Sequence, residues 1–237
     1  MVATFADVPV LCGHRGSGAG VVDGHRENTL ASFLAAARAG LPWVEVDVRV
    51  TADRVLVASH DPVVADGRSI ATLTAAETDA LGLLRFSDLL ETLPAEVGLD
   101  VDVKTSLRDA LRPRGQTTAA LVADMLARVE DQRQLLASSF DPAALLILRE
   151  RAPQLPVGLI TWTRFPLRKA IPAAVHLGAD VVVAHVGSFD GGTAAASVRV
   201  AHEAGLQVAA WCPLAPEMEP LLAAGVDCLI VDAAPVP

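Results

Sequence analysis

The sequence predicts an α/β fold of one (β/α)8 TIM-type barrel, and three observations carry that reading. Short β-branched runs alternate with Ala- and Leu-rich stretches along nearly the whole chain, the pattern of a parallel sheet covered by helices. The length of 237 residues suits one barrel of about 250 residues. No linker or low-complexity segment divides the chain, so one domain spanning 1–237 is expected. An open doubly wound sheet is the competing class, but Gly16, Gly18 and Gly20 lack the strand–turn–helix context of a dinucleotide loop.

Strand signals fall at 9–13, 43–50, 55–60, 97–104, 134–139, 157–161, 181–186, 207–211 and 228–232. Helix signals fall at 29–39, 117–130, 143–151, 168–177, 193–204 and 217–224. Gly40, Gly178, Gly205 and Gly225 each follow a helix and precede a strand, where a left-handed C-cap belongs. The nine strand signals exceed the barrel's eight. The connection between 43–50 and 55–60 is too short for a helical crossover. One solution is a hairpin turning near Ala52 and Asp53, with His60 roughly opposite Glu45. The other is a helix-less parallel connection that leaves 228–232 outside the barrel. Both keep His60 near Glu45 and Asp47, and the hairpin is slightly preferred.

Composition excludes several classes. Half the residues are apolar and a fifth charged, so a large core is available and disorder is not expected. A formal charge of -9 argues against nucleic-acid binding, which needs clustered Lys and Arg. An anionic substrate must then be held by a local positive site. Cys12, Cys212 and Cys228 show no paired spacing and read as buried thiols of a reducing compartment. No secretory signal or run of about 18–20 uncharged apolar residues is visible. A soluble, cytoplasmic protein is expected.

Strands buried on both faces should be continuous apolar runs, yet several here carry charge at alternate positions. Glu45 and Asp47 share one face of their strand by its two-residue period, and so do Asp100, Asp102 and Lys104. The first strand runs into His14, Arg15 and Gly16, and the third ends in His60 and Asp61. Each group alone reads equally as a solvated face, a surface histidine or a simple ion pair. Their coincidence near strand ends, where barrel active sites gather, points to a site. Carboxylates buried so close together repel unless a cation joins them.

These segments resemble the opening signature of the glycerophosphodiester phosphodiesterase family. The resemblance runs from His14-Arg15-Gly16 through Glu27-Asn28-Thr29 and Glu45-Val46-Asp47-Val48 to His60-Asp61. It continues in Asp102-Val103-Lys104, Ser138-Ser139-Phe140-Asp141-Pro142, Trp211 and Gly225-Val226-Asp227…Asp232. Three departures stand out. Arg26 precedes Glu-Asn-Thr where the family often has Pro, the loop 17–26 is longer than in many members, and Asp102 replaces the family's usual Glu.

The resemblance implies metal-dependent hydrolysis of a small glycerophosphodiester to glycerol 3-phosphate and an alcohol. Glu45, Asp47 and Asp102 are the implied ligands of one hard cation, Ca²⁺ or Mg²⁺, since no His/Cys cluster asks for zinc. Arg15 offers a fork matched to phosphate, and Lys104 adds a point charge. His14 and His60 form the acid–base pair. Trp211 resembles an aromatic wall for the glycerol or leaving group, with structural core as the rival reading. Asp61 reads as an orienter of His60 or a surface turn, and Glu27 and Asn28 as closers of the site or helix-start residues. His25, His176, His185 and His202 have no assigned role, and Gly191-Gly192 reads as a plain turn ahead of phosphate binding. A lysophospholipase D-type specificity is the nearest alternative. A Mg²⁺-dependent carbon–carbon lyase and a non-catalytic binding barrel are the alternatives of other classes.

Overall fold

The computed structural model describes residues 3–190 and 192–233; Gly191, half of the Gly191-Gly192 pair, lies outside them. The chain opens with β1 (Val10–Gly13), a ribbon of β2 (Val21–Val22) and β3 (His25–Arg26), α1 (Leu30–Arg38), β4 (Trp43–Val50) and β5 (Leu56–Ala58). It continues through α2 (Ala75–Ala80), α3 (Phe86–Thr92), β6 (Gly98–Val103), α4 (Thr118–Leu126), β7 (Leu135–Ser139) and α5 (Pro142–Arg151). Then follow β8 (Val157–Ile160), α6 (Leu167–Leu177), β9 (Val181–His185), α7 (Ala194–Glu203), β10 (Gln207–Trp211), α8 (Ala215–Ala223) and β11 (Cys228–Val231).

Eight parallel strands close into a TIM-type barrel, because β1 pairs with both β4 and β11. The ninth strand, β5, lies outside it as the return arm of a hairpin on β4, with Val48 facing Ala58 and Val50 facing Leu56. The hairpin solution therefore holds, and β11 belongs to the barrel wall. That register, continued, sets His60 beside Val46, one residue from the expected Glu45. The strand ends first, with the Ser59 N–H donating to the Asp47 carbonyl at 2.9 Å.

The period of two explains the odd strand compositions. Val44, Val46, Val48 and Val50 point outward into the layer shared with the helices, as do Leu99, Val101 and Val103. The alternate positions face the barrel axis. There Val10, Cys12, Leu136, Val181, Val183, Ala209, Cys228 and Ile230 form a separate inner core, which the charged residues of β4 and β6 extend toward the C-terminal mouth. Phe5 closes the opposite end, packed edge-on against Trp43 with ring centroids 5.0 Å apart. Gln207 holds it there by accepting from the Phe5 N–H at 2.9 Å and donating to its carbonyl at 3.0 Å. Gly98 is dictated by this layer: a Cβ there would lie 2.4 Å from the Trp43 ring.

Six helices match the sequence signals to within a few residues; α2 and α3 were not expected. Each is short, at six and seven residues. A capping box at Thr74 and Glu77 starts α2. Gly178 ends α6 in the left-handed conformation at φ 68°. No described helix is long and apolar enough to cross a membrane.

Candidate active site

At the C-terminal mouth the inward-facing residues line a cavity of about 550 Å³. Seven of the eight expected site residues line it; the eighth, Asp47, lies beneath Arg15 and Lys104. Parallel pairing places Glu45 beside Asp100 and Asp47 beside Asp102. Glu45, Asp47 and Asp102 are all buried, and each offers an oxygen within 4.8 Å of the others.

The charges in this cluster do not balance among themselves. Lys104 Nζ is 2.9 Å from Asp47 Oδ1 and also hydrogen-bonds Asp102 Oδ2. Arg15 Nε is 3.2 Å from Asp47 Oδ2, and Asn28 Nδ2 donates to that oxygen at 2.8 Å. Burial alone would raise Asp47, but Lys104, Arg15 and Asn28 outweigh it and hold its carboxyl below the ordinary range. Glu45 is left with the Arg15 N–H on Oε2 at 2.9 Å. Burial, then repulsion from Asp47 and Asp102, pushes it well above the carboxylate range. Asp102 Oδ1 is buried with no hydrogen-bond partner. One layer deeper, burial raises Asp100 to about 7 against a 2.7 Å hydrogen bond from Ser138 Oγ. An orphaned carboxylate oxygen amid converging buried carboxylates, with charge still uncompensated, fits a hard divalent cation.

The histidines enter from different elements. His14 follows β1, where Gly16 turns the chain at φ 98°, and a Cβ there would meet Ser32 Oγ at 2.5 Å. His14 Nδ1 lies 2.6 Å from Asp232 Oδ1, while Nε2 faces Glu45 Oε2 at 4.0 Å. The hydrogen bond with His14 holds Asp232 down at about 2. The long loop 17–26 reaches the same carboxylate, with the Ala19 N–H donating to Asp232 Oδ1 at 3.0 Å. Cys212 Sγ sits 3.6 Å from His14 Nδ1, and burial raises its thiol to about 12. His60 stands at the rim with a side chain 42% exposed, its Nδ1 2.9 Å from Asp61 Oδ1. Its backbone is fixed by Arg49, whose Nε donates to the His60 carbonyl at 3.0 Å with Nη2 on the same oxygen.

The opposite wall is aromatic. Phe140 packs against Trp162 at 4.6 Å and against Trp211 at 6.2 Å between centroids. Lys104 Nζ lies 5.4 Å from the Phe140 ring centre. Trp162 is 68% exposed at the rim. His185, which had no assigned role, supports Trp211 from behind at 4.4 Å. His202 bonds Asp227 at 2.9 Å, and Asp227 also accepts from the Val208 N–H, away from the mouth.

Glu27 and Asn28 turn to the site, Glu27 accepting from Arg15 Nη1 at 3.0 Å, while Thr29 caps α1. Arg15, Asn28 and Cys212 adopt left-handed backbones at φ 51°, 54° and 54°, a conformation that costs a non-glycine residue about 1–3 kcal/mol and clusters at functional sites. The residues without an expected role were within reach of the period that found the others. Arg49 follows Asp47 by two, Asp232 follows inward Ile230 by two, and Trp162 follows Ile160 by two.

A parallel barrel with acids, guanidinium, ammonium and two imidazoles around one C-terminal cavity has the layout of a barrel enzyme acting on an anionic substrate. Residues 14–235 match the model of the glycerophosphoryl diester phosphodiesterase family. A Mycobacterium tuberculosis protein named "Probable glycerophosphodiester phosphodiesterase 2" is 29% identical over 228 residues, covering 87% of this chain and 82% of its own. An Oleispira antarctica phosphodiesterase, solved with its product sn-glycerol-3-phosphate, superposes with a TM-score of 0.78 at 23% identity, over 98% of this chain and 96% of that one. A Thermotoga maritima glycerophosphodiester phosphodiesterase superposes with a TM-score of 0.74 at 21% identity, over 94% of each chain. The chain belongs to the glycerophosphoryl diester phosphodiesterase family and is a phosphodiesterase.

Proposed function

We propose that the enzyme hydrolyses glycerophosphodiesters to glycerol 3-phosphate and an alcohol, with one hard divalent cation and two histidines. The observation that carries this is the convergence of Glu45, Asp47 and Asp102 within 4.8 Å, with Asp102 Oδ1 unsatisfied, below two imidazoles that reach the same cavity. Those three carboxylates would hold Ca²⁺ or Mg²⁺. Such a cation neutralises charge on the non-bridging phosphate oxygens.

The protein's own groups do the rest. Arg15 and Lys104 supply positive charge to a phosphate in an otherwise acidic protein. Arg15 is pre-aimed by Glu27 and Asp47. His14 is held through Nδ1 by Asp232, which leaves Nε2 for proton transfer, and Asp61 holds His60 in the same way. One imidazole takes a proton from the attacking hydroxyl, that of water or of the glycerol itself, and the other gives one to the leaving alkoxide; after attack by the glycerol hydroxyl, water opens the cyclic phosphate to glycerol 3-phosphate. Phe140, Trp162 and Trp211 cover the carbon skeleton of glycerol or of the leaving alcohol.

A lysophospholipase D-type specificity is the second reading, favoured by the exposed Trp162 beside Phe140 at the cavity rim. Release of the headgroup alcohol is assayed from glycerophosphocholine, glycerophosphoethanolamine and a lysophospholipid, with glycerol 3-phosphate as the second product expected from the first two, with and without chelator. Turnover lost on chelation and restored by Ca²⁺ or Mg²⁺ is expected. Full turnover in excess chelator refutes the metal assignment, and a preference for the lysophospholipid installs the second reading.

A further inference from the structure

Cys212 has no part in the proposed chemistry, yet three different strand ends bring it together with His14 and Asp232. His14 follows β1, Cys212 follows β10 and Asp232 follows β11, and each offers an atom within 4.8 Å of the other two. The donors are an imidazole nitrogen, a sulfur and a carboxylate oxygen. That set differs in kind from the all-oxygen cluster of Glu45, Asp47 and Asp102, and it suits a borderline-soft cation. We propose that His14 Nδ1, Cys212 Sγ and Asp232 form a second, inhibitory metal site that takes Zn²⁺ or a cation like it.

The spacing is close to what such an ion requires. Bond lengths of about 2.0–2.3 Å put ligand atoms of a tetrahedral zinc site roughly 3.3–3.7 Å apart. The nitrogen–sulfur separation is already 3.6 Å. The nitrogen–oxygen separation of 2.6 Å must open by about 1 Å, and Asp232, with a side chain 47% exposed, has room to swing outward. The charges also close: a thiolate and a carboxylate balance a divalent ion, and the imidazole binds neutral.

The consequence for turnover follows from the proton inventory. A neutral imidazole carries one N–H. With a cation on Nδ1, that proton resides on Nε2, and the thiol proton leaves to solvent. Nε2 is the nitrogen that faces Glu45, so His14 has no lone pair left to act as a base, and its Nε2–H is a far weaker acid than that of an imidazolium, which stops it in either role. Mg²⁺ or Ca²⁺ in excess would not relieve this, since hard cations compete poorly for sulfur. The inhibitory effect rests on the role given to His14 above, whereas the binding does not.

Two readouts separate binding from inhibition. Cadmium, as the spectroscopic substitute for zinc, is titrated into the full-length protein held in saturating Mg²⁺. Ultraviolet absorption follows the thiolate-to-cadmium charge-transfer band, and glycerol 3-phosphate release is measured against Zn²⁺ in parallel. The expected result is a band saturating at one equivalent, absent in Cys212→Ser and Cys212→Ala. Half-inhibition by Zn²⁺ should move upward by about 10-fold or more in both variants, whose turnover in Mg²⁺ without added Zn²⁺ equals the parent's. A band that persists in both variants, or that is absent from the parent, overturns the site. Equal inhibition of parent and variants places zinc on the carboxylates and also overturns it. A Cys212-dependent band without inhibition overturns the arrest of His14. Protein that cleaves no diester fails the functional reading, and the band then decides the site alone.

Discussion

Replacing Lys104 by methionine keeps most of the side chain's volume and removes its charge. The ammonium is nearly buried and is the shared partner of Asp47 and Asp102. Arg15 compensates Asp47 alone among the three carboxylates, so Asp102 would be left with no cation in contact. Removing one partner of a buried pair costs about 3–5 kcal/mol, because the other charge is left uncompensated. For a chain of this length that corresponds to a fall in Tm of about 6–20 °C. The same deficit should make the variant depend on metal. A cation at 100 times its Kd stabilises by about 2.7 kcal/mol, and the more negative variant site should bind it more tightly than the parent's. Thermal unfolding followed by circular dichroism, in chelator and then in saturating Ca²⁺ or Mg²⁺, tests both points. The variant should melt far below the parent in chelator and regain most of the gap with metal. A variant within about 2 °C of the parent in chelator, or metal shifts equal in the two proteins, would refute the charge-balance argument.

His14→Ala and His60→Ala should each lower phosphodiester turnover by about 10²–10⁴-fold, measured as kcat on glycerophosphocholine, and near-normal turnover in either removes that residue from the mechanism. Asp232→Asn should lower kcat more than it raises KM, since it disturbs the tautomer and aim of His14, not substrate contact; a pure KM effect contradicts that. Asp232 is held down at about 2 by His14, so its stabilising contribution is complete above the ordinary carboxylate range near pH 4 and is lost as pH falls toward 2. Half-exposed, it is worth on the order of 1 kcal/mol or less, and urea unfolding of parent and Asp232→Asn should converge over that interval. Gly98→Ala should destabilise by about 1–3 kcal/mol in urea unfolding, because its Cβ would meet the Trp43 ring at 2.4 Å, and an unchanged midpoint would show that this end of the barrel can give.

What could be read in the sequence was set by period and sign of charge. Alternation in Val44-Glu45-Val46-Asp47-Val48 exposed the two faces of β4 before any pairing was known, and the structure sends the valines to the helices and the acids to the axis. The hairpin was legible from the short connection, but its register was not. Nothing local in 51–55 distinguishes His60 beside Glu45 from His60 beside Val46. The helices α2 and α3 went unseen because runs of six and seven residues hold too few turns to show a period. The Asp232–His14 hydrogen bond spans 218 positions and is created by barrel closure between β1 and β11. Sequence distance conceals such a pair. Aromatic contacts likewise join residues far apart in sequence, Phe140 and Trp162 from the neighbouring ends of β7 and β8, and Trp211 from β10, beyond β9.

Asp102, which stands where the resemblance to the family leads one to expect Glu, is brought to Asp47 by strand pairing. Asp47 and Asp102 are register partners on β4 and β6, a separation of about 4.8 Å between neighbouring parallel strands. Two carboxylates on adjacent inward positions already approach each other without a longer stem. Lys104 follows Asp102 by two on the same strand and draws its Oδ2 inward toward Asp47, while Oδ1 stays unpaired. One oxygen of Asp102 is thus tied to the ammonium and the other is open to the proposed cation. The shorter acid therefore still converges with Glu45 and Asp47, and strand pairing is what brings the three carboxylates of the proposed cation site together.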